Sequence, residues 1–223
     1  MRYSRQNRFL GYSDEKNIFS DKNILIIGCG GVGSVLANLL IRGGLKKIKL
    51  VDFDVVDETN LQRQIYFEKD VGKLKVKALR EYLYQIDSNL DISIFAEQLT
   101  EKNIFSLTEN IDLIIDCTDN IHTRNIINDY CIQKNLTWLH LGAIMGNFTC
   151  MFFNGKNSKF DYIFRKNVTD QACCDVGVLS STTYGCASLA YNEILKYFMG
   201  EYKQSYFLKL NLWEHLIFKL KIK

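Results

Sequence analysis

Between residues 23 and 60 the chain changes character in a fixed order. The apolar run Ile24-Leu25-Ile26-Ile27 reads as a buried strand, and the turn Gly28-Cys29-Gly30-Gly31-Val32-Gly33 follows at once. Residues 34–42 then show helical spacing, with Val35, Leu36, Leu39 and Leu40 on one face. A second apolar strand, 48–51, ends in Asp52-Phe53-Asp54. Strand, glycine turn, helix, strand and acid in that order make the dinucleotide-binding fingerprint in its structural context. Gly28, Gly30 and Gly33 let the backbone turn tightly and approach a polyphosphate without a side chain between. The helix that starts there offers unpaired N–H groups and a partial positive charge. Asp52 sits where an acid can accept both ribose hydroxyls. The competing reading is a tight strand–helix turn with no ligand.

The rest of the chain repeats the alternation. Helical spacing is expected over 71–86, 102–107, 121–134 and 176–199, and strands over 91–96, 111–117, 137–141 and 148–153. Residues 1–20 read as an N-terminal arm with a helix and a loop. Residues 154–175 lack periodicity and read as a long crossover loop, a length usually tied to function. Residues 206–210 and 216–222 read as a terminal hairpin. The expected fold is α/β: a Rossmann-like, doubly wound, mostly parallel sheet with a C-terminal antiparallel hairpin, in a single domain over 1–223.

Composition removes several classes. A net charge of +3 is too small to argue for nucleic acid or an anionic membrane. No apolar run approaches the ~20 residues of a membrane span, and the first residues show no signal-peptide core. The expectation is a soluble, cytoplasmic protein. The seven cysteines include no C-x-x-C pair, so their spacing gives no zinc or thioredoxin-like signal, and most read as small buried hydrophobes. The three histidines show no ligand spacing and receive no role.

Three further motifs carry charge to the expected nucleotide site. Asn60-Leu61-Gln62-Arg63-Gln64 places amides and a guanidinium just beyond the Asp52 strand, where Arg63 can hold phosphate oxygens in a bidentate manner. Asp116-Cys117-Thr118-Asp119-Asn120 lies at a strand's carboxyl end, where open α/β sheets put their ligands. Asp119 can carry a Mg²⁺ that bridges phosphates, or cap the next helix, or both. Lys73, Lys75 and Lys77 stand in the first turns of an expected helix, where cations oppose the dipole unless an anion lies nearby.

As an ordered set, these motifs resemble the ThiF/MoeB/HesA family of ATP-dependent activating enzymes, relatives of the ubiquitin-activating enzymes. The resemblance runs from Arg2 to about Gly200. Its carriers also include Arg2-Tyr3-Ser4-Arg5-Gln6, Val71-Gly72-Lys73-Leu74-Lys75-Val76 and Cys174-Asp175-Val176-Gly177-Val178-Leu179. It implies an adenylyltransferase that activates the C-terminal carboxylate of a small ubiquitin-like sulfur carrier, releasing pyrophosphate, in thiamine or molybdopterin biosynthesis. It implies ATP and Mg²⁺ as cofactors. By the same resemblance Asp52 holds the ribose, Asn60, Arg63 and Lys75 bind phosphates, and Asp119 binds the metal; Lys73 is the runner-up to Lys75. Gly31, Asp54, Gln64 and Asn120 complete the implied nucleotide set. Arg5 reaches the partner subunit's phosphates across a homodimer. Cys173 aligns best with the cysteine that some relatives use in thiol chemistry, with Cys174 beside it. The two zinc-binding C-x-x-C pairs of many relatives are missing, so no zinc is expected.

Two neighbouring readings use the same residues differently. A short peptide C-terminus, as in microcin-type maturation, would be activated by the same chemistry. A nicotinamide-dependent oxidoreductase would use the glycine turn but leave Arg5, Arg63 and Asp119 unexplained together. A carrier-binding pseudoenzyme conflicts with the retention of every one of these polar residues. The acceptor itself is not written in the sequence.

Overall fold

A computed structural model describes residues 2–13, 17–155, 160–164, 176–202 and 206–221. Five strands run parallel. β1 (Asn23–Ile27) lies between β2 (Lys47–Val51) and β4 (Leu113–Asp116); β3 (Asp91–Phe95) flanks β2, and β5 (Thr137–Ile144) flanks β4. Three antiparallel strands extend the sheet beyond β5: β6 (Asn147–Asn154), β7 (Tyr206–Asn211) and β8 (Leu216–Lys221). The described residues thus form one eight-stranded sheet in the order 3-2-1-4-5-6-7-8.

The helices are α1 (Ser4–Phe9), α2 (Gly31–Arg42), α3 (Lys75–Ile86), α4 (Ile104–Leu107), α5 (Ile121–Lys134), α6 (Phe160–Ile163) and α7 (Ser180–Phe198). Alternate β1 side chains enter different cores, because successive residues of a strand face opposite ways. Ile24 and Ile26 pack with Leu36, Leu40, Leu79 and Ile194 of α2, α3 and α7. Leu25 and Ile27 pack with Leu107, Ile127 and Phe160 of α4, α5 and α6. Both faces are therefore covered, and β1 must be apolar throughout rather than alternating. Each such burial contributes ~2 kcal/mol.

Several boundaries differ from the sequence expectation. α2 starts three residues earlier, at Gly31, so the glycine turn contributes its own first helical turn. Residues 71–74 are not helical. Gly72 has φ 85°, and the amides of Gly72 and Lys75 donate to the carbonyls of Val56 and Asp54, making a short antiparallel bridge with the segment after β2. The first turn of α7 likewise begins only at Ser180, because Val178 bridges to Met145 at the β5–β6 turn. The segment expected to be a structureless loop contains α6. Phe160 is fully buried there, with its ring 5.5 Å from those of Trp138 and Phe153.

The N-terminal arm packs on its own chain. Gln6 donates to the Gly43 carbonyl at the end of α2 and accepts from the Tyr191 hydroxyl of α7, and Arg2 pairs with Asp87 at 2.9 Å. No helix among the described residues is long and apolar enough to cross a membrane.

Candidate active site

The strand order reverses between β1 and β4, and a cleft of about 830 Å³ opens at the carboxyl ends of these strands. The glycine turn forms one wall. Gly28 has φ 93°, and a Cβ there would lie 2.8 Å from the Cys117 carbonyl oxygen. A Cβ on Gly33 would fall 1.9 Å from the Gly28 carbonyl oxygen. Both positions are thus closed to a side chain by the backbone itself. Gly30 and Gly31 line the cleft, and no side chain caps α2 at Gly30. The first amides of α2 are left to a ligand, and an anion suits them.

Asp52 ties this turn to β2. It accepts from the Cys29 amide at 2.6 Å and the Asp54 amide at 2.8 Å, while burial pushes its carboxyl upward against those bonds. Lys75 is buried and donates to Asp54 across 2.7 Å; both line the cleft. Lys73 does not. It pairs with Asp70 at 2.9 Å and Glu81 at 3.1 Å. Of the two lysines offered for one phosphate position, only Lys75 lines the cleft.

Arg63 lines the cleft, with Nη1 donating to the Thr59 carbonyl and its own carbonyl accepting from Thr183 of α7. Asn60 also lines it, and its side-chain oxygen accepts from the Asp57 amide. Gln64 is 6% exposed, and its buried Oε1 has no hydrogen-bond partner. An orphaned acceptor on a cleft wall fits a ligand's donor.

Asp119 and Asn120 line the cleft together, but their work differs. Asn120 is the N-cap of α5, accepting the Thr123 amide at 2.8 Å. The helix cap offered as one role for Asp119 belongs to its neighbour, and the exposed Asp119 carboxylate is spared that task. Among the described residues no group of three or more His, Cys, Asp or Glu surrounds a metal position. A single exposed carboxylate on the cleft wall would suit Mg²⁺, which is often bound through one or two carboxylates. Arg5 is exposed on α1 and does not line its own chain's cleft. Cys173 and Cys174 lie outside the described residues.

A profile of the ThiF family matches residues 3–223. The chain belongs to the ThiF family. It is 32% identical over 222 residues to the sulfur carrier protein ThiS adenylyltransferase of Bacillus subtilis (strain 168), covering 96% of this chain and 66% of that one. It is 33% identical over 186 residues to the adenylyltransferase and sulfurtransferase MOCS3 of Aedes aegypti, covering 80% and 42%. The chain therefore spans between about two fifths and two thirds of the length of these relatives. The crystal structure of E. coli MccB with AMPCPP and MccA shares the fold, with a TM-score of 0.81 at 21% identity over 99% of this chain and 71% of that one.

The other half of this ThiF-family cleft holds residues that sequence reasoning missed. β4 and β5 pair so that Asp116 stands directly beside His140. Asp116 is fully buried; its Oδ2 accepts from Arg124 Nε at 3.2 Å and His140 Nδ1 at 3.0 Å, and its Oδ1 accepts from the Thr118 amide and hydroxyl. Burial would raise this carboxyl, but Arg124, His140 and Thr118 outweigh it and hold it below the usual range. Arg124 also donates to the Thr118 carbonyl at 2.6 Å, which fixes the loop carrying Asp119. His140 Nε2 lies 3.2 Å from Thr149 Oγ1 of β6. Arg124, His140 and Thr149 all line the cleft, as do Phe207 and Lys209 of β7. An acid at a strand end and a basic residue eight positions on were legible; the register that joins them to His140 was not.

Proposed function

We propose that this chain is an ATP-dependent adenylyltransferase acting on the C-terminal carboxylate of a small ubiquitin-like carrier protein. The observation that carries the reading is the convergence of open α2 amides, Arg63, Lys75 and the uncommitted Asp119 on one cleft. A carboxylate that attacks an α-phosphate brings two anions together, so the site must offset charge there and on departing pyrophosphate. The α2 amides and Arg63 hold phosphate oxygens, and Lys75, already oriented by Asp54, supplies a fixed cation. Asp52 accepts ribose hydroxyls with the lone pairs its two amides leave free. Asp119 is the residue that would hold Mg²⁺, whose chemistry is charge neutralisation on the phosphates. No covalent residue is needed; positioning and electrostatics suffice.

The acceptor enters along the β5–β6–β7 side, where the lining comes from Thr149, Phe207 and Lys209 rather than from the glycine turn. A sulfur carrier, of thiamine or molybdopterin biosynthesis, is the first acceptor to test, since one relative is named a sulfur carrier protein adenylyltransferase and the Escherichia coli relative a molybdopterin-synthase adenylyltransferase. A short peptide C-terminus is the alternative. We place the working protein in the cytoplasm, where ATP is supplied.

Exchange of labelled pyrophosphate into ATP is the test. It should require Mg²⁺ and a carrier or peptide with a free C-terminal carboxylate. Absence of exchange with carriers ending Gly-Gly and with short peptides alike would overturn the reading.

A further inference from the structure

A single row of side chains crosses the acceptor half of the cleft. Gly142 of β5 stands opposite Thr149 of β6, and Thr149 opposite Lys209 of β7. His140 lies on the same face, two residues before Gly142, with its ring buried. Its two nitrogens face two partners: Nδ1 the Asp116 carboxylate at 3.0 Å, Nε2 the Thr149 hydroxyl at 3.2 Å.

Along the Asp116–His140–Thr149 relay the hydrogen directions follow from the protonation states of its members. Burial holds the imidazole neutral and Arg124 adds to that, against the pull of Asp116. A neutral imidazole has one N–H, and an ionised carboxylate can only accept. The N–H is therefore on Nδ1, and Nε2 accepts. Its remaining partner is the Thr149 hydroxyl, which must donate. A hydroxyl whose only hydrogen is committed presents lone pairs alone to the cleft.

We propose that Thr149 binds the backbone N–H of the last residue of the acceptor's C-terminal tail, with His140 as the positioning residue that makes its oxygen an acceptor. This rests on the adenylation reading for the identity of the tail. A peptide tail of any sequence presents backbone N–H and C=O groups, so a fixed hydrogen-bond acceptor on this wall reads the backbone rather than a side chain. Gly142 keeps the approach open: a Cβ there would lie 2.9 Å from Thr149 Oγ1 and 3.4 Å from His140 Nε2.

Two measurements on the full-length chain test this. In ¹⁵N-histidine-labelled protein, long-range ¹⁵N–¹H correlation should show His140 as the neutral Nδ1–H form, its signals assigned by their loss in His140→Gln. An Nε2–H ring overturns the proposal. The second uses acetyl-Gly-Gly and its ester counterpart acetyl-Gly-glycolate as probes, titrated calorimetrically with AMP present. Wild type and Thr149→Ser should bind the ester ~10-fold more weakly, as for one lost hydrogen bond, and Thr149→Val should bind both alike. Equal binding of amide and ester by wild type, or no binding of acetyl-Gly-Gly up to about 10 mM, overturns it. If the discrimination holds but no acceptor supports pyrophosphate exchange, the adenylation reading falls and this inference stands. Exchange that uses amide and ester acceptors alike gives the reverse outcome.

Discussion

At the scale of single residues, neighbouring side chains divide capping from ligand binding. Asn120 caps α5 and leaves Asp119 available. Asp119→Asn should therefore keep the wild-type urea midpoint while pyrophosphate exchange drops on the order of 100-fold, the scale of losing one preorganised charge. Asn120→Ala should do the opposite first, losing ~1 kcal/mol of stability in urea unfolding. Asp119→Asn with near-normal exchange would remove it from the metal site. His140 gives a second residue-level prediction. Its folded-state value is depressed below 6.5, so as pH falls past 6.5 the unfolded chain takes up the proton first. Stability is full above that pH and is lost on acidification toward the lower folded value. Asp116, also depressed, adds a further loss in more acidic solution, below 3.8. The urea midpoint of wild type should fall between about pH 7.5 and 5.5, with a slope of up to ~1.4 kcal/mol per pH unit from this group, and His140→Gln should flatten it. Little of this was legible in the sequence. Asp116 and His140 are 24 positions apart, and only the parallel register of β4 and β5 makes them neighbours. The placement of Lys75 on the cleft was legible because its family motif surrounds it, but that Lys73 points to Asp70 instead emerged only with the non-helical turn at Gly72.

At the scale of elements, the glycine turn separates folding from binding. Gly33→Ala places a methyl inside the Gly28 carbonyl and should destabilise the whole β1–α2 unit, lowering the urea midpoint and abolishing ATP binding together. Gly30→Ala meets only the Gln64 amide nitrogen, at 3.9 Å, so the fold should survive while its methyl intrudes where α2 offers its amides. Calorimetric titration of ATP into a Gly30→Ala protein with an unchanged urea midpoint is the check; unchanged affinity would move the phosphates off this turn. The sheet was readable because its central strands are continuous apolar runs, which few other structures require. α6 was not, since four residues cannot display a period of 3.6. The antiparallel continuation of β5 through Gly142 to Ile144 was hidden for a different reason: a glycine reads as a break, whereas here it makes room above Thr149.

At the scale of the whole molecule, α2 measures the distance between two functions. Its N-terminus lines the cleft, where we place the phosphates, and its other end, at Gly43, anchors the arm through Gln6. Twelve residues of helix span ~18 Å, so Arg5, next to Gln6, stands far from its own chain's phosphates. We propose that it serves the cleft of a second copy, in a homodimer. Arg5→Ala and Asp119→Asn proteins should each be nearly inactive. After subunit exchange, half the dimers are mixed and each has one intact site, so activity should recover to about a quarter of wild type. Proven exchange without recovery, or a monomer at assay concentration, would place Arg5 in cis.

The Met145–Val178 bridge sets a hierarchy of opening. β5 and β6 share eight aligned residue pairs, whereas the described residues just before α7, 176–179, join the sheet through two backbone bonds, Met145 amide to Gly177 carbonyl and Leu179 amide to Met145 carbonyl. A short segment held by few bonds costs little to open, so these two amides should exchange with solvent well before that of Leu139 in hydrogen-exchange measurements. That rim of the cleft is then expected to part and re-form many times during one lifetime of the folded sheet, which hydrogen exchange of the Met145 and Leu179 amides would report. Gln62, which donates to the Val178 carbonyl at 3.4 Å, joins that segment to the loop bearing Arg63, so opening there should be felt at the guanidinium as well.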